Sequence, residues 1–263
     1  MRPLESAARA MPRGDDSPAF GRIVCEVPET HGSPAVEQSI ALADPGGALT
    51  FVCVHRDESP ELATKALGSA VQAAAAAGIE ADGRIRHAAN PSEVLLEEAA
   101  DADLLTVASP GGAALGTTAS AAVHDCTVPV LVARQPPAGA AFPGRILLAT
   151  DGSPDAQHAA ELAGRIARRA HSQVDVLSVD PEPHGDASQI AVDIVSLTTA
   201  LGFEPTVLRE AGRAHERILA IAERERISLL VLGSRGLGGL RALGSVSERV
   251  AHRAPSSVLV ARR

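Results

Sequence analysis

The chain predicts an α/β fold of two tandem doubly wound domains, each built on a five-stranded parallel sheet. Three observations carry this expectation. Short apolar runs alternate with segments of helical periodicity, which implies parallel pairing through right-handed crossovers. The apolar runs are nearly continuous, as strands covered on both faces must be. The order of short motifs in the first half returns in the second.

The repeat is explicit. PVLVAR at 129–134 returns as SVLVAR at 257–262, and DLLTVAS at 103–109 as SLLVLGS at 228–234. RIV at 22–24 matches RIL at 145–147, and GSP stands at 32–34 and 152–154. One copy spans 21–135 and the other 144–263, with 136–143 as a linker inside the Pro-, Gly- and Ala-rich stretch QPPAGAAFPG. Residues 1–20 read as a solvated tail without the apolar core of a secretory signal.

The elements follow in order through the second copy. RILLAT, 145–150, is a buried strand by composition. Ser153 and Pro154 supply an N-cap and a first helical residue, and the apolar positions 159, 160, 163, 166 and 167 continue a helix. VDVLSV, 174–179, is the second strand. A second helix runs through 187–201 and ends at Gly202. EPTVLRE is a shorter strand, HERILAIAERE a third helix, ISLLVLGS a fourth strand, SVSERVAHRA a fourth helix and SVLVAR a fifth strand.

Bulk composition narrows the function. Lys and Arg number 24 against 32 Asp and Glu, a net charge of −8. So acidic a chain is poorly suited to nucleic acid or to an anionic membrane, both of which are gripped by Lys and Arg. No apolar run approaches a membrane span. A cytoplasmic protein is expected. Cys25, Cys53 and Cys126 are few, odd in number and far apart, so they read as small core residues. The nine histidines lack metal-ligand spacing.

The candidate site lies in VLGSRGLGGLRALGSVSERV, 231–250. This glycine-rich loop leaves the carboxyl end of the fourth strand and enters a helix, the place where open parallel sheets bind ligands. Glycine lets backbone amides approach a ligand, and a helix start offers unpaired N–H groups and a positive dipole end. Together they suit an anion, above all phosphate. Ser245 and Ser247 add hydroxyl donors. The rival reading is a capping box, Ser245 capping the helix and Glu248 reaching back. Asp151, in ATDGSP, ends the first strand, which neighbours the fourth across the switch point. Its carboxylate is either a ligand for a ribose or a base amine, or a turn residue.

RILLATDGSP, VDVLSVD and the glycine stretch resemble the universal stress protein family, across the whole second copy and more faintly across the first. The resemblance implies a Rossmann-like fold of the adenine nucleotide alpha hydrolase-like type. It implies that ATP, AMP or ADP binds in the C-terminal copy. Asp151 and the backbone of Val179 would meet the adenine, Gly233 and Gly236 the ribose and phosphate, and Gly244, Ser245, Val246 and Ser247 the phosphates, with Ala149, Thr150 and Leu232 as further cofactor-binding positions. A Mg2+ bridged by the phosphates would find one carboxylate, Asp151. Seven residues separate Gly236 from Gly244, two fewer than the family pattern. Arg235 and Arg241 either face phosphate or are solvated surface.

The first copy departs further. Ala108 stands for the first glycine, four residues separate Gly111 from Gly116, and Pro28 lies where the Asp would be. Nucleotide binding is expected to be lost there, with Gly116-Thr117 a weak anion site at most. The resemblance also implies that the two copies pair through their fifth strands within one chain, a homodimer being a further option.

A nucleotide-binding stress or regulatory protein with a regulatory protein partner is therefore expected. No general base, nucleophile or metal cluster accompanies the loop, so it is not an enzyme beyond slow ATP hydrolysis. The alternatives are a nucleotide-free interaction module of the same fold and an adenylyl-transfer enzyme. ATDGSPDA lacks the His-rich or Ser-Gly-Gly signature that the last would need.

Overall fold

The structure is a computed structural model, which describes residues 19–29, 33–55, 61–109, 115–180, 196–236 and 243–263. Among them, the N-terminal half runs β1 (Arg22–Glu26), α1 (Pro34–Leu42), β2 (Ala48–His55), α2 (Glu61–Ala76), β3 (Glu80–His87), α3 (Pro91–Glu98), β4 (Leu104–Ala108), α4 (Thr117–Asp125) and β5 (Val130–Ala133). The C-terminal half runs β6 (Arg145–Thr150), α5 (Pro154–Ala170), β7 (Gln173–Asp180), helical residues 196–201 (α6), β8 (Thr206–Ala211), α7 (Ala214–Arg224), β9 (Leu229–Gly233), α8 (Ser245–Arg253) and β10 (Ser257–Ala261).

All ten strands form one sheet, in the order β3-β2-β1-β4-β5-β10-β9-β6-β7-β8. Pairing is parallel within each half and antiparallel at one place, where Leu259 stands opposite Leu131. The two fifth strands are therefore the middle of the sheet, and β3 and β8 are its edges. The order reverses between β1 and β4 and again between β6 and β9, which sets a switch point in each half.

Alternation along the strands divides the core by face. Ile23, Leu104, Ile146 and Leu259 turn toward α1, α2 and α5 in one apolar cluster. Val24, Leu105, Leu147 and Val258 turn toward α3, α4, α7 and α8 in the other. Each cluster runs across both halves.

Polar contacts at the junction repeat with the same symmetry. Arg134, one residue beyond β5, donates from Nη2 to the carbonyl of Ala251 in the last turn of α8. Arg262, one residue beyond β10, donates from Nη2 to the carbonyl of Val123 in α4. Each half thus caps the other's final helix with a cation, where the helix dipole favours one. Arg134 is buried, and desolvation pulls its pKa down to about 10. On the opposite face Arg169 of α5 binds Asp44 Oδ1 at 3.0 Å and the Leu42 carbonyl at 3.1 Å.

Several expectations are corrected. Phe20, assigned to the tail, is 1% exposed and donates its N–H to Asp44 Oδ2, so the folded part begins before residue 21. Gly244, not Ser245, is the N-cap of α8, and no side chain caps that helix. The start of the helix expected over 187–201, the tail residues 1–18 and loop residues 237–242 lie outside the described residues. Other expectations hold: Ser153 caps α5 with Pro154 following, and the three cysteines are buried and free. No helix among the described residues is long and apolar enough to cross a membrane.

Candidate functional site

At the carboxyl ends of β6 and β9 a cavity of about 630 Å³ opens. That size suits a small-molecule ligand. All eleven residues named from the sequence line it: Ala149, Thr150, Asp151, Val179, Leu232, Gly233, Gly236, Gly244, Ser245, Val246 and Ser247. Four elements and two loops bring them together.

One end of the cavity is apolar. Ala149, Leu177, Val179 and Leu232 come from adjacent strand ends, and Ala214 and Ile218 from α7 close that side. Leu177, Ala214 and Ile218 have no motif to mark them; in sequence they are ordinary core positions.

The other end is polar and faces the start of α8. Gly244 has extended backbone, φ −76° and ψ 149°, and its carbonyl accepts from Glu248 N–H, which starts the helix. Its own N–H donates to the Ser234 carbonyl at 2.7 Å. With no side-chain cap, the first-turn amides of α8 face the cavity. Ser247 Oγ donates to the Gly233 carbonyl at 2.7 Å. Its hydroxyl hydrogen therefore serves the loop, and the expected donation to a ligand falls to its backbone and to the exposed Ser245.

The glycines divide into two kinds. A Cβ on Gly233 would stand 2.7 Å from Ala156 N and Asp155 C, so this glycine exists to let α5 start against β9. A Cβ on Gly236 would stand 2.5 Å from Asp151 Oδ2, so this one lets the loop close on the carboxylate. Gly244 is different: its Cβ would meet only ordinary contacts from 3.4 Å outward. A methyl group at Gly244 would rest against the backbone of Ser234, Arg235 and Gly236 without a clash.

Asp151 accepts from Ser153 N–H at 3.0 Å through Oδ1, which aims the carboxylate along the rim. Ser153 in turn accepts from Ala156 N–H and donates its hydroxyl to the Arg235 carbonyl at 3.1 Å. Beneath them lies Asp155, buried in the first turn of α5. Its Oδ2 accepts from Ser234 Oγ at 2.7 Å and from Arg235 N and Nε, each at 3.1 Å. Burial would raise its pKa, but the hydrogen bonds from Ser234 and Arg235 outweigh burial and hold it below the ordinary carboxylate value. Glu248, also on the cavity, faces His124 of α4 at 3.6 Å. Among the described residues no group of three His, Cys, Asp or Glu side chains could hold a metal ion.

The corresponding place in the N-terminal half is differently furnished. Register equates Glu26 with Ala149, Pro28 with Asp151 and Ala108 with Gly233. Glu26 Oε2 accepts the Ala108 N–H at 2.9 Å. Burial raises its pKa to about 7, against a smaller opposing effect of the Ala108 hydrogen bond.

Comparison with known proteins agrees with this geometry. Residues 143–262 match the profile of the universal stress protein family. A universal stress protein of Thermus aquaticus is 33% identical over 135 residues, covering 44% of this chain and 97% of the relative. A universal stress protein structure from Archaeoglobus fulgidus DSM 4304 superposes with a TM-score of 0.74 at 22% identity, covering 93% of this chain and 97% of that one. A putative universal stress protein from Pseudomonas aeruginosa UCBPP-PA14 gives 0.73 at 20% identity, covering 93% and 94%. The two structures share the fold across both halves, the sequence relative is matched across nearly its whole length, and the chain belongs to the universal stress protein family.

Proposed function

We propose that the C-terminal half binds an adenine nucleotide and that the chain acts as a nucleotide-responsive stress or regulatory protein. The observation that carries this reading is the convergence of the eleven residues on one cavity, apolar at one end and lined by the free start of α8 at the other. The base lies between the strand ends and α7. Asp151 accepts from ribose hydroxyls or the base amine. The amides of Gly244 to Ser247 meet the phosphates, where a helix start is favourable for an anion.

The nucleotide is bound rather than turned over. Among the described residues the carboxylates on the cavity are Asp151 and Glu248, and Glu248 is turned to His124 of the other half. A Mg2+ bridged by the phosphates would neutralise phosphate charge, with Asp151 as a carboxylate to help hold it.

The absence of Trp and Tyr gives a direct test. The chain scarcely absorbs near 280 nm, so co-purified adenine nucleotide shows as a band near 260 nm that denaturation releases. Isothermal titration with ATP, ADP and AMP should give one site per chain. Asp151→Ala should weaken it by about tenfold or more, the effect of losing a charged hydrogen-bond acceptor. Gly244→Val should abolish it by crowding the loop against the start of α8, with thermal unfolding as the control for folding. Unchanged titrations in both variants, or none in the native chain, would favour the interaction-module reading.

A further inference from the structure

Arg235 is held in a manner that a surface arginine does not need. Its carbonyl accepts from Ser153 Oγ at 3.1 Å. Its N–H and its Nε both donate to Asp155 Oδ2 at 3.1 Å. Asp155 is only 4% exposed, and Ser234 Oγ holds the same oxygen at 2.7 Å. Yet the arginine side chain is 48% exposed and belongs to the cavity wall. None of its hydrogen bonds to the described residues uses the terminal nitrogens Nη1 and Nη2. The anchor thus fixes the stem of the guanidinium and leaves the fork without a hydrogen bond to the described residues.

The backbone of Arg235 lies beside the start of α8. A Cβ on Gly244 would stand 3.7 Å from Arg235 Cα, so the arginine departs from beside the helix start. A phosphate on the α8 amides is satisfied by backbone donors. Any phosphate beyond it leaves the amides and comes out toward the rim. Glu248, also on the cavity, is turned to His124 from the N-terminal half at 3.6 Å. Asp151, the other acid among the described cavity residues, stands against Gly236. Arg235 is the fixed cation that the described cavity residues offer to the outer phosphates.

Building on the adenine-nucleotide reading above, we propose that Arg235, clamped by Asp155 and Ser234, reads the phosphates beyond the first, so that the crevice prefers nucleoside di- and triphosphates over monophosphate. A guanidinium fork suits phosphate oxygens through two parallel N–H donors, and pre-fixing its stem reduces the entropy lost on binding.

The test compares native chain, Arg235→Ala and Arg235→Lys by titration with ATP, ADP, AMP and inorganic tripolyphosphate, with thermal unfolding as the control for folding. Arg235→Ala should weaken ATP and ADP by about tenfold or more while AMP changes by about twofold or less, the size of a lost charged hydrogen bond. Arg235→Lys keeps the charge without the clamped fork and should recover only part of the ATP affinity. Equal weakening of ATP and AMP, or no change in either, overturns the role of Arg235 and leaves nucleotide binding standing. If adenine nucleotides fail to bind the native chain but tripolyphosphate binds through Arg235, the nucleotide reading falls and the phosphate-reading arginine stands. Tripolyphosphate binding that ignores the substitution, or no binding of any ligand, overturns both.

Discussion

The two halves share one strand order and differ at the same few positions in their crevices. Where the C-terminal half has Ala149, the N-terminal half has Glu26, whose carboxylate accepts the Ala108 N–H. Where Gly233 admits the start of α5, Ala108 carries a methyl group. Where Asp151 faces the glycine loop, Pro28 offers no acceptor side chain. The framework outlasts these changes because it rests on the buried interiors of the strands and on the β5–β10 junction, whereas the changed positions lie at strand ends and just beyond them. Refurnishing a crevice takes a few side chains; dissolving the fold takes many.

The junction is where the comparison breaks hardest. Leu259 and Leu131 face each other there, both fully buried. Leu259→Ala should destabilise the chain by about 2–5 kcal/mol, the cost of a core cavity. Urea unfolding followed by far-ultraviolet circular dichroism measures this in a chain without Trp.

Glu26 gives the next effect, and its sign depends on pH. Its folded pKa of about 7 exceeds the ordinary value of 4.5, so the folded state holds the proton more tightly. Stability from this group is complete below about 4.5 and is lost as pH rises through about 7. Glu26→Gln keeps an acceptor for Ala108 without the charge. It should stabilise the chain by about 1–3 kcal/mol at pH 8 and by almost nothing at pH 4. Unfolding midpoints that shift equally at both pH values would count against a buried titrating carboxyl. No residue in the C-terminal crevice should show this pattern.

Glycine and alanine at equivalent positions sharpen the contrast. Gly233→Ala should cost about 1–3 kcal/mol, since its methyl group meets the backbone of α5. Ala108→Gly should cost about 0.5–1 kcal/mol, mainly through the entropy of the unfolded chain. Thermal midpoints of the two variants rank them. The smallest difference concerns the caps. Ser33 and Ser153 both cap their helices, and replacing either by Ala should cost about 1 kcal/mol. Only Ser153→Ala also releases the Arg235 carbonyl, so only it should alter ligand titrations.

Periodicity and repetition made the strands and helices legible, because burial imposes them locally. Asp151 and the glycine loop were visible as a motif. The reason for each glycine was not: Gly233 makes room for a helix eighty residues earlier, a contact that sequence spacing does not disclose. Ser245 looked like an N-cap by residue type, yet the extended backbone at Gly244 takes that place. Asp155 read as an acid in a first helical turn, and only folding sets it beneath Ser234 and Arg235. Glu26 gave no signal at all within RIVCE. Arg134 and Arg262 were visible as the last letter of a repeated word, but the carbonyls they reach lie on the other half.

The antiparallel seam between β5 and β10 carries a consequence for how such a molecule can change. In an assembly of two identical chains, every substitution falls on both members. Here a replacement such as Glu26 alters one member and spares its twin, while covalent linkage keeps them in equal number. Fusion lets one crevice diverge without asking the other to follow.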